Sequence, residues 1–151
     1  MPRHVSSTVK YNSAKSLVPN LQVQCAVVKL ILDRKTEKAL DILSSFYKII
    51  PPDIRVGTIK GKRKTVYAVY VPKERRIYAL NSDIFYNPFI ILHEYYHHLR
   101  SQGTEHRGSE GHADNFARQF LNSYLSFFEA GHSVTQARAH RQSKLFQTRE
   151  K

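Results

Sequence analysis

The sequence predicts an α+β domain in which helices come first, a small three-stranded sheet follows, and further helices complete the chain. Apolar residues recur at helical spacing up to about Ile50 and again from Pro88 onwards. Between these stretches, β-branched and aromatic residues alternate with a period of two. With 151 residues, the chain is about one domain long. We therefore expect a flexible basic arm at residues 1–18, the folded domain at 19–133, and a basic C-terminal helix or tail at 134–151.

Two helices are predicted ahead of the sheet. The first begins at Pro19-Asn20 and presents a broad apolar face as far as Asp33. Thr36 is the candidate N-cap of the second helix, because a threonine side chain can accept a hydrogen bond from the first turn. The pair Pro51-Pro52 ends this helix, since proline lacks the N–H that a helix interior uses.

Three short strands are predicted at residues 54–58, 65–71 and 76–80, where β-branched and aromatic side chains are concentrated. We interpret Gly61-Lys62-Arg63, between the first two strands, as a basic hairpin turn, and Pro72-Lys73-Glu74 as a second turn. Periodicity does not fix strand direction, so the sheet is expected to be either antiparallel or mixed.

The helices after the sheet have clear start signals. Asn87 is a predicted N-cap and Pro88 the first helical residue of a helix that ends near Gly103. Ser109 is the predicted cap of the next helix, which ends at Gly131, and Ser133 starts a last, basic helix. In the helix capped by Ser109, helical spacing predicts one apolar face that points into the core. Its residues are Ala113, Phe116, Ala117, Phe120, Leu121, Tyr124, Phe127 and Phe128.

The motif that indicates chemistry is the segment His93-Glu94-Tyr95-Tyr96-His97 inside the helix that begins at Pro88. His93 and His97 lie one helical turn apart on the same face, so their imidazoles can reach one ion together. Zn²⁺ accepts neutral histidine nitrogens, and a carboxylate next to the ion can move protons during hydrolysis. We therefore predict that His93 and His97 bind zinc and that Glu94 is the general base. The neighbouring His98 is expected at the surface.

A catalytic zinc site normally has three protein ligands, so one more must come from elsewhere. The candidates are Glu110 and His112, which follow His97 by 13 and 15 residues. In a regular helix their side chains point to nearly opposite sides, so both are not expected to bind the same ion. Asp114 lies one turn after Glu110 on the same side. The residues leave both candidates for the third ligand open.

Two family resemblances correspond to these two candidates. Glu110, Ala113, Asp114, Phe116 and Ala117 resemble the second-helix motif of small gluzincin peptidases of the ImmA/IrrE type. This resemblance implies a zincin-like fold, Glu110 as the third ligand, and Asp114 as a partner of a ligand histidine. The segment His112 to Phe116 resembles the SprT-like proteases, which associate with DNA, and implies His112 as the third ligand. Ala113 departs from the glycine usual in that family, and the loop between the two motifs is shorter than gluzincins usually have.

Composition limits the partners and the compartment. A single cysteine, Cys25, excludes an intrachain disulfide and a zinc site built from several thiolates. No apolar run approaches the ~18 residues needed to span a membrane, and no secretory signal precedes the domain, so we expect a soluble, cytoplasmic protein. Residues 79–133 hold three basic and six acidic residues, so the net charge of +12 comes from the flanks. Such flanks suit an enzyme that works near DNA or RNA.

These observations predict a zinc-dependent metallopeptidase that hydrolyses peptide bonds of a protein or peptide substrate, with Glu94 catalytic and zinc held by His93, His97 and Glu110, and with His112 as the alternative third ligand. The alternative is a non-catalytic nucleic-acid-binding module stabilised by zinc, which the basic flanks would suit. Glu94 argues against that alternative, because a structural zinc site needs no acid–base group beside it.

Overall fold

The computed structural model describes residues 18–57, 67–103 and 108–147. This part of the chain contains five helices and a three-stranded sheet, which confirms the α+β class. In chain order the elements are α1 Leu21–Leu32, α2 Thr36–Tyr47, β1 Asp53–Val56, β2 Ala68–Val71, β3 Arg76–Ala79, α3 Ser82–Phe85, α4 Pro88–Ser101 and α5 Glu110–Gln147.

The first two helices lie where the sequence predicts them, with one difference at a cap. The Asn20 side chain accepts a hydrogen bond from the Val23 N–H at 3.0 Å and so begins α1. The cap position of α2 belongs to Lys35, whose side chain makes no capping hydrogen bond, so the predicted cap at Thr36 is wrong. Thr36 is buried in the first turn, where its hydroxyl donates to the Phe85 carbonyl at 2.9 Å. It therefore ties α2 to α3 instead.

The sheet is mixed, with β3 in the middle. β1 runs parallel to β3 and β2 runs antiparallel to it, and Ile54 and Tyr70 both pair with Ile77. These three side chains are buried in the core. Because β3 separates β1 from β2, the predicted hairpin between the first two strands is wrong. Its turn residues Gly61 to Arg63 lie outside the described residues.

Helix α4 lies at the centre of the domain, in contact with α1, α3, α5, β2 and β3. It buries Ile91, Leu92, Tyr95 and Leu99 completely, and α5 contributes Phe120 to the same core. The Tyr95 hydroxyl is buried, but it forms a 3.0 Å hydrogen bond with Ser44 of α2, so this polar group has a hydrogen-bond partner inside the core. The packing of α4 on all these elements fixes the orientation of the helix, and with it the orientation of His93, Glu94 and His97.

The last helix is longer than predicted. α5 continues from Glu110 to Gln147 through Gly131, so the predicted end at Gly131 and the separate helix from Ser133 are wrong. A glycine inside a helix costs only about 1 kcal/mol relative to alanine, which a long helix tolerates. Phe127 and Phe128 were expected to face inward, yet they are 67% and 55% exposed. Residues 1–17 of the predicted arm and 148–151 of the predicted tail lie outside the described residues.

Among the described helices, none combines the length and the apolar character needed to cross a lipid bilayer.

Candidate metal centre and cleft

Two helix starts position the residues of the site. The Asn87 side chain accepts a hydrogen bond from the Ile90 N–H at 3.2 Å, and Pro88 occupies the first turn of α4, as predicted. At the start of α5, the Ser109 hydroxyl accepts a hydrogen bond from the His112 N–H at 3.0 Å. This cap confirms the predicted role of Ser109 and directs the first turn of α5 towards α4.

Side chains from both helices converge on one point. His93 Nε2 lies 2.8 Å from Glu110 Oε2, and His97 Nε2 lies 3.1 Å from Glu110 Oε1. The two histidine Nε2 atoms are 3.3 Å apart. One donor atom from each of the three residues lies within 4.8 Å of the other two. This arrangement of His93, His97 and Glu110 could hold a metal ion, and its nitrogen and oxygen donors are those that zinc accepts.

The protonation of the histidines also suits a metal. Asp114 Oδ1 lies 2.8 Å from His93 Nδ1. This contact favours the tautomer in which Nδ1–H donates to the carboxylate, so the lone pair of Nε2 faces the cluster. Burial lowers the pKa of His97, although the negative charge of Glu110 opposes the shift. A cation shared by the three residues would accept the lone pair of His93 Nε2 and balance the charge of the Glu110 carboxylate.

His112, the alternative third ligand, lies outside this cluster. It is exposed, and its Nδ1 lies within hydrogen-bond distance of the Ser109 hydroxyl in the first turn of α5. The structure therefore brings Glu110 together with His93 and His97, and it does not bring His112 there.

Glu94 lies beside the cluster and outside the three-residue group. Burial raises the pKa of its carboxyl to about 7, although the neighbouring His93 ring and the backbone N–H of Tyr70 oppose the shift. A carboxyl with a pKa near neutrality can both accept and release a proton at neutral pH. The geometry thus places an acid–base group next to the three converging donors.

A cleft of about 490 Å³ opens between strand β2 and helix α4, next to Glu94 and to two of the three converging residues, His97 and Glu110. Its lining consists of Ala68, Val69, Tyr70, Pro72, Glu94, His97, Arg100, Ser101 and Glu110. β2 is an edge strand of the sheet. The Leu80 N–H donates to the Tyr67 carbonyl at 2.8 Å, so Tyr67 is hydrogen-bonded to the β3 side. In an antiparallel pair, every second residue bonds to the partner strand and the residues between them point their N–H and carbonyl groups the other way. The backbone groups of Ala68 and Tyr70 therefore point away from β3. These groups face the cleft side of the sheet.

A buried polar network that sequence reasoning missed lies beside the cleft. His98 was expected at the surface, yet it is completely buried, so that expectation is wrong. Its Nε2 lies 2.8 Å from the Ile50 carbonyl and its Nδ1 lies 2.8 Å from the Tyr70 hydroxyl. The same hydroxyl is 2.8 Å from Ser101 Oγ. The network joins α4 to β2 and to the end of α2, and it fixes the strand whose backbone contacts Glu94.

The tautomer of His98 follows from its partners. A carbonyl can only accept, so Nε2–H donates to Ile50, and Nδ1 then accepts from the Tyr70 hydroxyl. Burial lowers the pKa of His98, which keeps the ring neutral in this arrangement.

The chain matches no family model, and neither the curated proteins nor the solved structures yielded a similar protein.

Proposed function

We propose that the chain is a zinc-dependent peptidase that hydrolyses a peptide bond of a protein or peptide held in the cleft. One observation carries this proposal: Glu94 stands beside the cluster of His93, His97 and Glu110, and the cleft beside β2 is lined by Glu94, His97 and Glu110. Three protein ligands next to an acid–base carboxylate are the arrangement of a hydrolytic zinc site.

In this proposal His93, His97 and Glu110 hold the metal through their facing donor atoms. Asp114 keeps His93 in the tautomer that presents Nε2, because it accepts the hydrogen bond from Nδ1. When bound, zinc polarises the carbonyl of the scissile bond and lowers the pKa of water beside it. The choice of Glu110 corresponds to the gluzincin-type resemblance, and we propose a zincin-like fold of that type.

Glu94 supplies the proton transfers. A carboxylate oxygen takes a proton from the attacking water as the new C–O bond forms at the scissile carbonyl carbon. The protonated carboxyl then delivers that proton to the amide nitrogen as the C–N bond breaks, so the base is regenerated. The backbone N–H of Tyr70 stabilises the ionised form of this carboxylate beside the edge strand.

The edge of β2 offers the substrate a backbone to pair with. The N–H and carbonyl of Ala68 and the carbonyl of Tyr70 point away from β3, and an extended peptide can add to such an edge as a further strand. A peptide bound in this way passes in front of Glu94 and His97, because the same cleft contains all of these residues. Pairing through the backbone makes any extended polypeptide a potential substrate.

A nucleic-acid-binding module with a structural zinc is the weaker candidate. It requires four ligands and no carboxylate beside the ion, whereas the described cluster has three converging side chains and an adjacent, half-buried Glu94. The acid–base group at this position therefore favours the peptidase.

Removal of the metal tests the proposal. We expect the purified chain, supplied with zinc, to cleave an unfolded protein, to lose this activity in a chelator, and to regain it when stoichiometric Zn²⁺ is added. Mg²⁺ added after chelation serves as the control and should restore nothing, because it prefers oxygen ligands. Fragments identified by mass spectrometry provide the measurement. Cleavage that persists in the chelator, or a zinc-loaded chain that cleaves no polypeptide, would refute the proposal.

A further inference from the structure

Among the described residues, Arg100 is the one arginine or lysine that lines the cleft. It belongs to the last turn of α4, three residues after His97, so it lies on the same side of the helix, one turn further along. The two carboxylates in the lining, Glu94 and Glu110, already have roles in proton transfer and metal binding. Arg100 is exposed and has no role in either step.

The guanidinium of Arg100 forms no ion pair among the residues whose side chains are described. Within residues 18–57, 67–103 and 108–131, no carboxylate oxygen lies within ion-pair distance of it. A divalent cation in the cluster would balance the charges of Glu94 and Glu110, and Asp114 contacts His93 outside the residues that line the cleft. An anionic group of the substrate would complement the positive charge of Arg100 within the cleft.

Gly108 leaves room for the guanidinium of Arg100. A Cβ atom added at Gly108 would lie 1.7 Å from Arg100 Cζ, and 2.0 and 2.2 Å from its two terminal nitrogens. The guanidinium therefore occupies the space beside the backbone of residue 108 that the side chain of any other residue would enter. Gly108 directly precedes Ser109, the cap of α5, so the guanidinium lies where the end of α4 meets the start of α5.

We propose that Arg100 binds a carboxylate of the peptide substrate next to the scissile bond, which makes the cleft selective for acidic polypeptides. The inference rests on the proposed peptidase function and names the substrate class of that site. A planar guanidinium matches a carboxylate with two parallel hydrogen bonds, so Arg100 recognises this group better than a lysine would. The carboxylate comes from an Asp or Glu side chain or from the free C-terminus of the peptide.

A binding assay tests this inference without requiring turnover. All protein variants carry Glu94→Gln and are loaded with zinc. Dissociation constants are measured by fluorescence anisotropy for peptides that are identical except for one position, which is Glu, Gln or Lys. We expect the Glu peptide to bind about tenfold more tightly than the Lys peptide, the scale of one charge-assisted hydrogen bond. Arg100→Glu should reverse this preference and Arg100→Lys should keep part of it. Arg118→Glu, an exposed residue of α5 outside the cleft lining, changes the net charge equally and should leave the preference intact.

A second variant keeps Arg100 and moves its guanidinium. We expect Gly108→Ala to reduce the preference for the Glu peptide, because the new methyl group takes the position of the guanidinium. Peptides with amidated and free C-termini show which carboxylate is bound, and a preference for either one supports the inference. Absence of peptide binding, equal binding of Glu and Lys peptides, or an equal effect of Arg118→Glu and Arg100→Glu would overturn it. Cleavage by the chain with Glu94 intact reports separately on the peptidase function.

Discussion

The Glu94→Gln variant is expected to lose peptide hydrolysis by roughly 10²–10⁴-fold in kcat while it still binds zinc, because general acid–base catalysis contributes about that much. Glutamine keeps the shape of the side chain, but its amide cannot take a proton from water at neutral pH. Glu94 is not one of the three converging donors, so metal binding should survive. The rate of peptide cleavage and the zinc content of the same preparation provide the two measurements.

Glu129→Gln is the matched control for this experiment. It makes the same chemical change at an exposed position of α5 that does not line the cleft. We expect the control to cleave at the unmodified rate. If Glu94→Gln cleaved as fast as the control, Glu94 would not be the base and the proposed mechanism would be wrong.

Glu110→Ala is expected to weaken zinc binding by more than about a hundredfold. Mutation of a residue that only hydrogen-bonds to a metal ligand lowers metal affinity by about 10–100-fold, so loss of a ligand itself should lower it further. The variant removes the only carboxylate that faces both His93 Nε2 and His97 Nε2 among the described residues. Equilibrium competition with a zinc-binding dye measures the loss.

His112→Ala, two residues further along the same helix turn, should leave zinc affinity unchanged, because its imidazole faces the Ser109 hydroxyl and not the cluster. The opposite result, with zinc affinity lost in His112→Ala and kept in Glu110→Ala, would show that His112 and not Glu110 is the third ligand. It would also favour the SprT-like resemblance over the gluzincin type.

Local signals account for the parts of the fold that were predicted correctly. Asn20, Asn87 and Ser109 cap α1, α4 and α5 through side-chain hydrogen bonds within three residues, so the sequence alone reveals those helix starts. The order of the strands depends on which edges meet in the folded chain. No feature of residues 54–58 or 65–71 predicts that β3 lies between β1 and β2.

In the site, as in the fold, local spacing predicted some contacts, and the others depend on how distant elements pack. The spacing of His93, Glu94 and His97 within one helix was sufficient to predict their proximity. The third donor required the angle at which α5 meets α4, which the sequence does not give. Similarly, His98 contacts Tyr70 and Ile50 across 28 and 48 residues, so no local pattern could reveal its burial.

Periodicity also overestimated the core at the far end of α5. Helical spacing shows that Phe127 and Phe128 could share a face with Phe120, but it does not show whether another element lies opposite them. Phe120 is buried completely, whereas Phe127 and Phe128 are exposed. The buried face of a helix therefore ends where its neighbours end, which is a property of the whole fold.

Titration of the metal-free chain with Zn²⁺ tests the central claim most directly. Calorimetry should show one ion bound per chain, with an affinity that falls as the pH is lowered, because histidine must be neutral to bind a metal. The double variant His93→Ala, His97→Ala should abolish this binding, while alanine at the exposed His112 should not. Absence of saturable zinc binding by the unaltered chain, or equal binding by the double variant, would contradict the metal centre and with it the peptidase.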